Sequence, residues 1–210
     1  MSSPSWKTPL KLAGVLTILA CTAVWFQYTH GKKEAREKYQ ENLIFPISSD
    51  STQITAIKIK GPLGLIELQC ESISEKNCNA KALGKWTLKH VAANPYAVQE
   101  FLKDARAESA SKIIDLAAET PEKRKVLLND YGLSEELRSK PEMSFIELKF
   151  VDNHGAVIPS LTVWFGQPDI TGNFRYVGHS HDGKMDEQHV FFEYKRFIDK
   201  VFSQTADSFK

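Results

Sequence analysis

Residues 143–155, MSFIELKFVDNHG, decide the fold, because they hold an alternating strand followed at once by a turn. The alternation has a period of two, which places successive side chains on opposite faces of a strand. Phe145, Glu147 and Lys149 share one face, and Ile146, Leu148 and Phe150 share the other. The DNHG stretch at 152–155 is typical of a hairpin turn, since Asn, Asp and Gly tolerate positive φ. The sequence therefore predicts an antiparallel strand pair here.

More strands are predicted on either side of this hairpin. Upstream, QITAIKIKGPLGLIELQC indicates two strands around a Gly61-Pro62 turn, and GKWTLKHV indicates a third strand in which Trp86, Leu88 and His90 share a face. Downstream, SLTVWFG, NFRYVGHS and EQHVFFEY supply three further strands. The short apolar stretch SKIIDLA fits either a strand or a helix.

Three helices are predicted between and after these strands. In NPYAVQEFLKDARAESA, Asn94 suits the N-cap and Pro95 the first turn. In TPEKRKVLLNDYGL, Thr120 suits the N-cap and Gly132 the C-terminal stop. The predicted buried sides are Val98, Phe101, Leu102 and Ala105 in the first helix, Val126, Leu127 and Tyr131 in the second, and Phe197, Ile198, Val201 and Phe202 in a C-terminal helix, KRFIDKVFSQTADSF.

Runs of strands separated by helices predict an α+β fold, with an antiparallel sheet and two to three packed helices. We assign this domain to residues 47–210, because a chain of 164 residues can bury a sizeable core without metals or crosslinks. The domain carries 21 Lys and Arg residues against 23 Asp and Glu residues. Since it has no basic surplus to contact phosphates, nucleic acid is not an expected partner.

Residues 1–30 are predicted to form a transmembrane anchor. The 20 residues 12–31 carry no formal charge if histidine is neutral, and a helix of that length spans about 30 Å, the thickness of the hydrocarbon core. Two alternatives stay open. The ILAC stretch at 18–21 resembles a lipobox that would place lipid on Cys21, and a secretory signal would be removed by cleavage.

The charges that flank this segment predict conflicting orientations. Lys7 and Lys11 form a basic N-terminal region like that of an uncleaved signal, which sends the following residues across the membrane. The four basic side chains within 32–38 would instead hold the domain in the cytoplasm. We expect the first arrangement: a single span in the bacterial inner membrane, with the C-terminal domain in the periplasm or outside.

Residues 31–46 are predicted to form a charged helical stalk between the membrane and the domain. The stretch GKKEAREKYQENLIF is dense in helix formers, and Glu34 and Lys38 have the i,i+4 spacing of a stabilising pair. The helix is expected to end before Pro46, because the residue before a proline is disfavoured in the α conformation. A disordered linker is the alternative.

Cys70 and Cys78 form a candidate disulfide across a polar loop of seven residues, ESISEKN. In an oxidising compartment such a bridge would contribute roughly 2–3 kcal/mol if its geometry fits. Free thiols and a metal-binding pair are the alternatives. The spacing and the lack of a second cysteine pair argue against metal.

The stretch GHSHDGKMDEQH contains the densest group of possible metal-binding or acid–base residues: His179, His181, Asp182, Asp186 and His189. It lies between two predicted strands, so a solvated hairpin loop is the simpler interpretation. No helical His spacing and no G-x-S-x-G motif fix a site. We therefore assign no catalytic, cofactor-binding or metal-binding residues, and keep an envelope enzyme with a site near His179–His189 as an alternative function.

The order of landmarks resembles the bacterial family called domain of unknown function 4340. The landmarks are the N-terminal hydrophobic segment, the joint and strand LIFPISSDSTQITAIKIKG, the strand LIELQ, the tryptophan strand GKWTLKHV with a proline-led helix, YGL after a helix, LTVWFGQP and FRYVG. The resemblance covers about residues 43–200. It implies a membrane-tethered extracytoplasmic module, encoded in some relatives with ABC-transporter or gliding-motility components, and it brings no catalytic residues.

Together these features predict a non-enzymatic, membrane-anchored envelope protein whose α+β domain binds a protein partner. An ABC-type transport complex or another envelope complex is the expected setting. No cofactor is expected. A lipoprotein acylated at Cys21 is the third hypothesis.

Overall fold

The computed structural model describes residues 41–47, 52–71 and 84–210. Asn42–Lys210 form one compact unit, which therefore includes the last residues of the segment predicted as a stalk. The described residues do not include the predicted anchor with Cys21, residues 31–40 of the predicted stalk, or Cys78. Within the described ranges, no helix is long and apolar enough to cross a membrane.

The described strands form one antiparallel sheet, which confirms the predicted α+β class. Nine run side by side in the order β4–β3–β2–β1–β6–β7–β8–β10–β5, and β9 pairs with β8. Their bounds are β1 Thr52–Gly61, β2 Gly64–Cys70, β3 Trp86–Leu88, β4 Val91–Ala92, β5 Lys112–Asp115, β6 Ser144–Asp152, β7 Val157–Pro168, β8 Phe174–His181, β9 Lys184–Met185 and β10 His189–Tyr194.

The hairpin predicted from residues 143–155 lies at the centre of this sheet. Leu148 faces Leu161 across β6 and β7, and Ile57 faces Leu148 across β1 and β6. In the turn, the Asp152 carboxylate accepts the N–H groups of His154 and Ala156, each at 2.8 Å. Alternation thus places the apolar side chains on one face, and the turn residues fix the register.

Among the described residues, three helices longer than one turn agree with the predicted two to three. Asn94 Oδ1 accepts the Tyr96 N–H at 3.0 Å, and Thr120 Oγ1 accepts the Lys123 N–H at 3.3 Å, so both predicted caps are made. The helical elements are α1 Pro95–Ala107, α2 Pro121–Asp130, the single turn α3 Glu135–Arg138, α4 Lys195–Phe202 and a 3₁₀ helix, Ala206–Phe209.

Local expectations were wrong at three places. GKWTLKHV is not one strand, because Lys89 and His90 adopt positive φ and turn the chain back from β3 into β4. In α2 the buried residue is Leu128, whereas Val126 is 59% exposed, because only one side of this helix lies on the protein. The C-terminal helix ends at Phe202, and the chain turns before the 3₁₀ helix so that Phe209 can be buried. The ambiguous SKIIDLA contains the strand β5.

The sheet carries a large core on one face and a smaller one on part of the other. The large cluster combines the inward residues of β1, β2, β6, β7 and β8 with α1 and α4. The smaller cluster is built on Leu116, Leu128, Leu133, Met143 and Val190. Because Phe191 belongs to the first and its neighbour Val190 to the second, the two clusters lie on opposite faces of the sheet. We call the side of the smaller cluster the second face.

Candidate functional site

Three short stretches that carried the family resemblance meet on the second face. YGL at 131–133 follows α2, FG at 165–166 lies in β7, and the Gly178 of FRYVG lies in β8. The Gln167 N–H donates to the Tyr131 carbonyl at 2.9 Å. A Cβ on Gly166 would overlap that carbonyl oxygen, so glycine is required for the loop to lie this close to the sheet.

Leu133 is the side chain that fills this junction. It is fully buried, and a Cβ on Gly166 or on Gly178 would approach its side chain to 3.1 and 3.2 Å respectively. Two glycines on neighbouring strands therefore form a recess that fits one leucine. The consequence is a short, fixed connection between α2 and the strands, whose residues were recognisable in sequence but whose mutual contact was not.

Arg138 holds the following single-turn helix against the same face. Its Nε donates to the Leu133 carbonyl at 3.1 Å, and its guanidinium lies 5.7 Å from the centre of the Trp164 ring, a cation–π distance. Burial lowers the pKa of Arg138 from its usual value. Trp164 is fixed in turn, because its Nε1 donates to Ser180 Oγ at 2.9 Å.

A cavity of about 260 Å³ opens beside this junction, and it is a candidate site for a small ligand. Its floor is buried, and its rim is exposed and charged. The lining residues are Gly132, Leu137, Lys140, Glu142, Met143, Ser144, Phe165, Gly166, Gln167, Pro168 and Arg175.

Arg175 is the most firmly placed charge of this cavity. It is half-buried, and its Nη1 donates to the Gly166 carbonyl at 3.2 Å. That bond involves one of the five N–H donors of the guanidinium. Lys140 and Glu142 lie on the exposed rim and add one positive and one negative charge. None of these three residues was singled out in sequence, because only the fold brings the start of β8 next to the residues before β6.

The residues of the predicted histidine cluster do not converge on one site. His179 is only 6% exposed, and its ring stacks on Phe191 with the ring centres 4.2 Å apart. Burial lowers the pKa of His179 to about 4, so the imidazole is neutral at neutral pH. It is a core residue, and its buried Nε2 has no hydrogen-bond partner among the described residues.

The other members of the cluster lie nearer the surface. His189 Nδ1 and Asp186 Oδ2 are 2.9 Å apart; burial alone would raise the pKa of Asp186, but hydrogen bonds from His189 and the Gln188 backbone lower it. His181 is exposed, and Asp182 accepts the Ser160 N–H at 2.7 Å. Among the described residues, no three His, Cys, Asp or Glu side chains are grouped to hold a metal ion.

Cys70 is buried at the end of β2, with 6% of its surface exposed. Cys78 lies outside the described residues, so the Cys70–Cys78 disulfide stays a prediction.

Glu193 is a buried carboxyl that sequence reasoning missed. It is fully buried on the core face of β10, and Oε1 accepts the Tyr194 N–H at 2.8 Å. Oε2 has no donor among the described residues. Burial and the neighbouring Glu108 carboxyl raise the pKa of Glu193 to about 8. Glu193 is therefore protonated at neutral pH, because two ionised carboxylates facing each other would repel. The alternation of HVFFEY could have revealed Glu193, because it shares a face with Phe191.

Comparison of the chain with protein-family models, with curated proteins and with solved structures gives no match.

Proposed function

We propose that this protein is a membrane-anchored, non-catalytic module of the bacterial envelope, related to the domain of unknown function 4340 family, and that its domain binds a protein partner. The partner would belong to an ABC-type transport complex or another envelope complex. The observation that carries the proposal is a polar sheet surface on β1, β2 and β6.

This surface, which we call the open sheet face, consists of the side chains of β1, β2 and β6 that point away from the large core. Lys58 pairs with Glu67 at 3.1 Å, and Lys149 lies 4.0 Å from Glu147. Leu65 lies on the same face and is 42% exposed. The residues that define the open sheet face are Ala56, Lys58, Lys60, Leu65, Glu67, Gln69, Phe145, Glu147 and Lys149.

The ion pairs of the open sheet face are weak enough for a binding partner to replace them. Exposed ion pairs contribute only about 0–1 kcal/mol each, so a partner with matching charges could replace these pairs at little cost. A shallow depression of about 130 Å³ lies between the pairs, and Lys58, Glu67, Glu147 and Lys149 help to line it. A non-obligate protein interface is about as polar as the rest of a protein surface, so the mixed charge of the open sheet face is compatible with one.

The membrane tether rests on the sequence. The 20 uncharged residues 12–31 and the helix-forming segment after them support an anchor with a stalk. The compact domain starts at Asn42, directly after this segment.

Site-specific photo-crosslinking tests the partner. A benzoylphenylalanine replaces Gln69 on the open sheet face, and the matched control carries it at Val126, an exposed position of α2. After irradiation of living cells, we expect a reproducible adduct from position 69 in the membrane fraction, with its second protein identified by mass spectrometry. Equal adducts from both positions, or none from position 69, would refute docking on this face.

A charge reversal provides an independent check. Lys58→Glu places a carboxylate beside Glu67 and Glu147, so we expect it to lower the crosslinking yield severalfold. Lys125→Glu changes the net charge equally on the exposed side of α2 and should leave the yield unchanged. Equal effects of the two variants would mean that net charge, rather than the open sheet face, governs binding.

A further inference from the structure

We propose that the cavity beside Gly166 binds a small zwitterion with an apolar body, which is the chemistry of a free hydrophobic α-amino acid. Arg175 and Lys140 would hold its carboxylate, and Glu142 would hold its ammonium group. The inference goes beyond the proposed partner binding, because it concerns a different part of the sheet and a different class of ligand.

The size of the cavity sets the first limit. Its volume of about 260 Å³ equals that of roughly nine water molecules at about 30 Å³ each. The volume lies near the lower end of the range of about 300–1,000 Å³ that is typical of small-molecule sites, so it suits a ligand of about ten heavy atoms. An amino acid of the size of leucine therefore fits the available volume.

The apolar side chains that line the cavity indicate that its ligand carries an apolar group. Phe165 and Met143 are 2% and 9% exposed and form part of the wall together with Leu137 and Pro168. Met143, Leu137 and Pro168 offer carbon and sulfur atoms to a ligand that enters from the rim, whereas the Phe165 ring packs against Phe202 in the large core. Burial of a branched aliphatic group here would be favourable, since it removes apolar surface on both sides from water.

The charges determine the polar part. The lining contains two cations and one carboxylate, a pattern that complements a ligand bearing both signs rather than a simple hydrocarbon. Arg175 is held in place by its bond to the Gly166 carbonyl, which pre-organises the guanidinium and reduces the ordering cost of binding a carboxylate. Glu142 is the carboxylate of the lining and hence the group that an ammonium would approach.

Calorimetry on the full-length protein in detergent micelles tests the ligand class. The probes are L-leucine, L-leucinamide, which lacks the carboxylate, and 4-methylpentanoate, which lacks the ammonium. A peptide terminus carries only one of the two charged groups of a free amino acid. The two truncated probes therefore distinguish recognition of a free amino acid from recognition of a peptide terminus. We expect leucine to bind with a dissociation constant of about 1 mM or tighter, and each truncated probe to bind about tenfold more weakly.

Two variants assign the charges. Glu142→Gln should weaken leucine about tenfold and leave 4-methylpentanoate unchanged, because only leucine carries the ammonium. Lys140→Gln should weaken both carboxylate ligands. Lys184→Gln, an exposed lysine in β9 away from the cavity, is the matched control and should change neither. Leucinamide that binds as tightly as leucine would instead indicate recognition of a peptide N-terminus and would overturn the proposal.

The methionines give a readout located at the site. Met143 lines the cavity, whereas Met185 does not, and the chain has three methionines in all. With carbon-13 methyl labelling, leucine should shift the Met143 resonance more than that of Met185. The absence of a Met143 shift at 10 mM leucine, or the same affinity for all three probes, would show that no zwitterion binds here.

Discussion

At the scale of single residues, two buried titratable groups give the domain opposite responses to pH. His179 has a lowered folded-state pKa, so its contribution to stability is present above its unfolded pKa near 6.5 and is lost as the pH falls towards 4. Glu193 has a raised folded-state pKa, so its contribution is present below its unfolded pKa near 4.5 and is lost as the pH rises towards 8. Both side chains can be buried because each is neutral in the folded protein.

The variant Glu193→Gln tests the contribution of Glu193 to the pH dependence of stability. Glutamine has the shape of the neutral acid, so we expect the variant and the natural protein to be similarly stable at pH 5. The free energy of unfolding of the natural protein should then fall, relative to the variant, by up to about 1.4 kcal/mol per pH unit towards pH 8. Urea unfolding of the full-length protein in micelles, followed by tryptophan fluorescence between pH 5 and 8, measures this difference. His179 is present in both proteins, so its effect cancels.

Glu71→Gln is the matched control for this experiment. Glu71 is exposed at the end of β2, so its replacement removes one carboxyl without removing a buried one. A stability difference for Glu193→Gln that does not vary with pH, or that Glu71→Gln reproduces, would mean that Glu193 is ionised in the folded domain.

At the scale of elements, the β3–β4 hairpin uses a turn whose side chains do not suit its backbone. Lys89 and His90 adopt φ values of 49° and 69°, the pair of positive angles that a two-residue hairpin needs for its strands to twist correctly. Asn and Gly favour this conformation, and other L-residues disfavour it. The turn is therefore imposed by burial of Trp86 and Leu88, and this is why the sequence predicted a continuing strand here.

Replacing Lys89-His90 by Asn-Gly should stabilise the domain by about 1–2 kcal/mol, because it relieves the backbone strain at both positions. The midpoint of urea unfolding measures the gain. His154→Gly is the matched control: it lies in the β6–β7 turn and does not have positive φ, so glycine there should give no gain. A destabilised Asn-Gly variant would show that the two side chains themselves support the hairpin.

At the scale of the whole molecule, the domain separates two surfaces on one sheet. The segment from β5 to β6 covers part of the second face and leaves the 260 Å³ cavity at its margin. The open sheet face lies on β1, β2 and β6. The proposed partner and the proposed small ligand would therefore contact separate regions of the sheet.

The proposed anchor is tested by Cys21→Ser in the full-length protein. If residues 1–30 form a transmembrane helix, the variant should stay in the membrane fraction after high-salt and carbonate washing, since one thiol contributes little to the apolar length. If lipid on Cys21 were the anchor, the variant would be released or would accumulate unprocessed. Acyl labelling of the natural protein is the companion measurement, and a clear adduct on Cys21 would overturn the anchor.

The sequence by itself determined the class of the fold and the main helix caps. Period-two alternation in β6 and the caps at Asn94 and Thr120 are local signals, and local sterics and hydrogen bonds decide them. The sequence also contained the glycines of YGL, FG and FRYVG, but it did not reveal the close tertiary contacts that require them.

Only the tertiary structure decided which distant residues meet. It placed Leu133 between Gly166 and Gly178, brought Arg175 to the same cavity as Lys140 and Glu142, and buried Glu193 near Glu108. It also exposed Val126, which helical periodicity had assigned to the buried side of α2. These outcomes depend on strand order and on which face each segment covers, and such long-range packing leaves no periodic signal in a single chain.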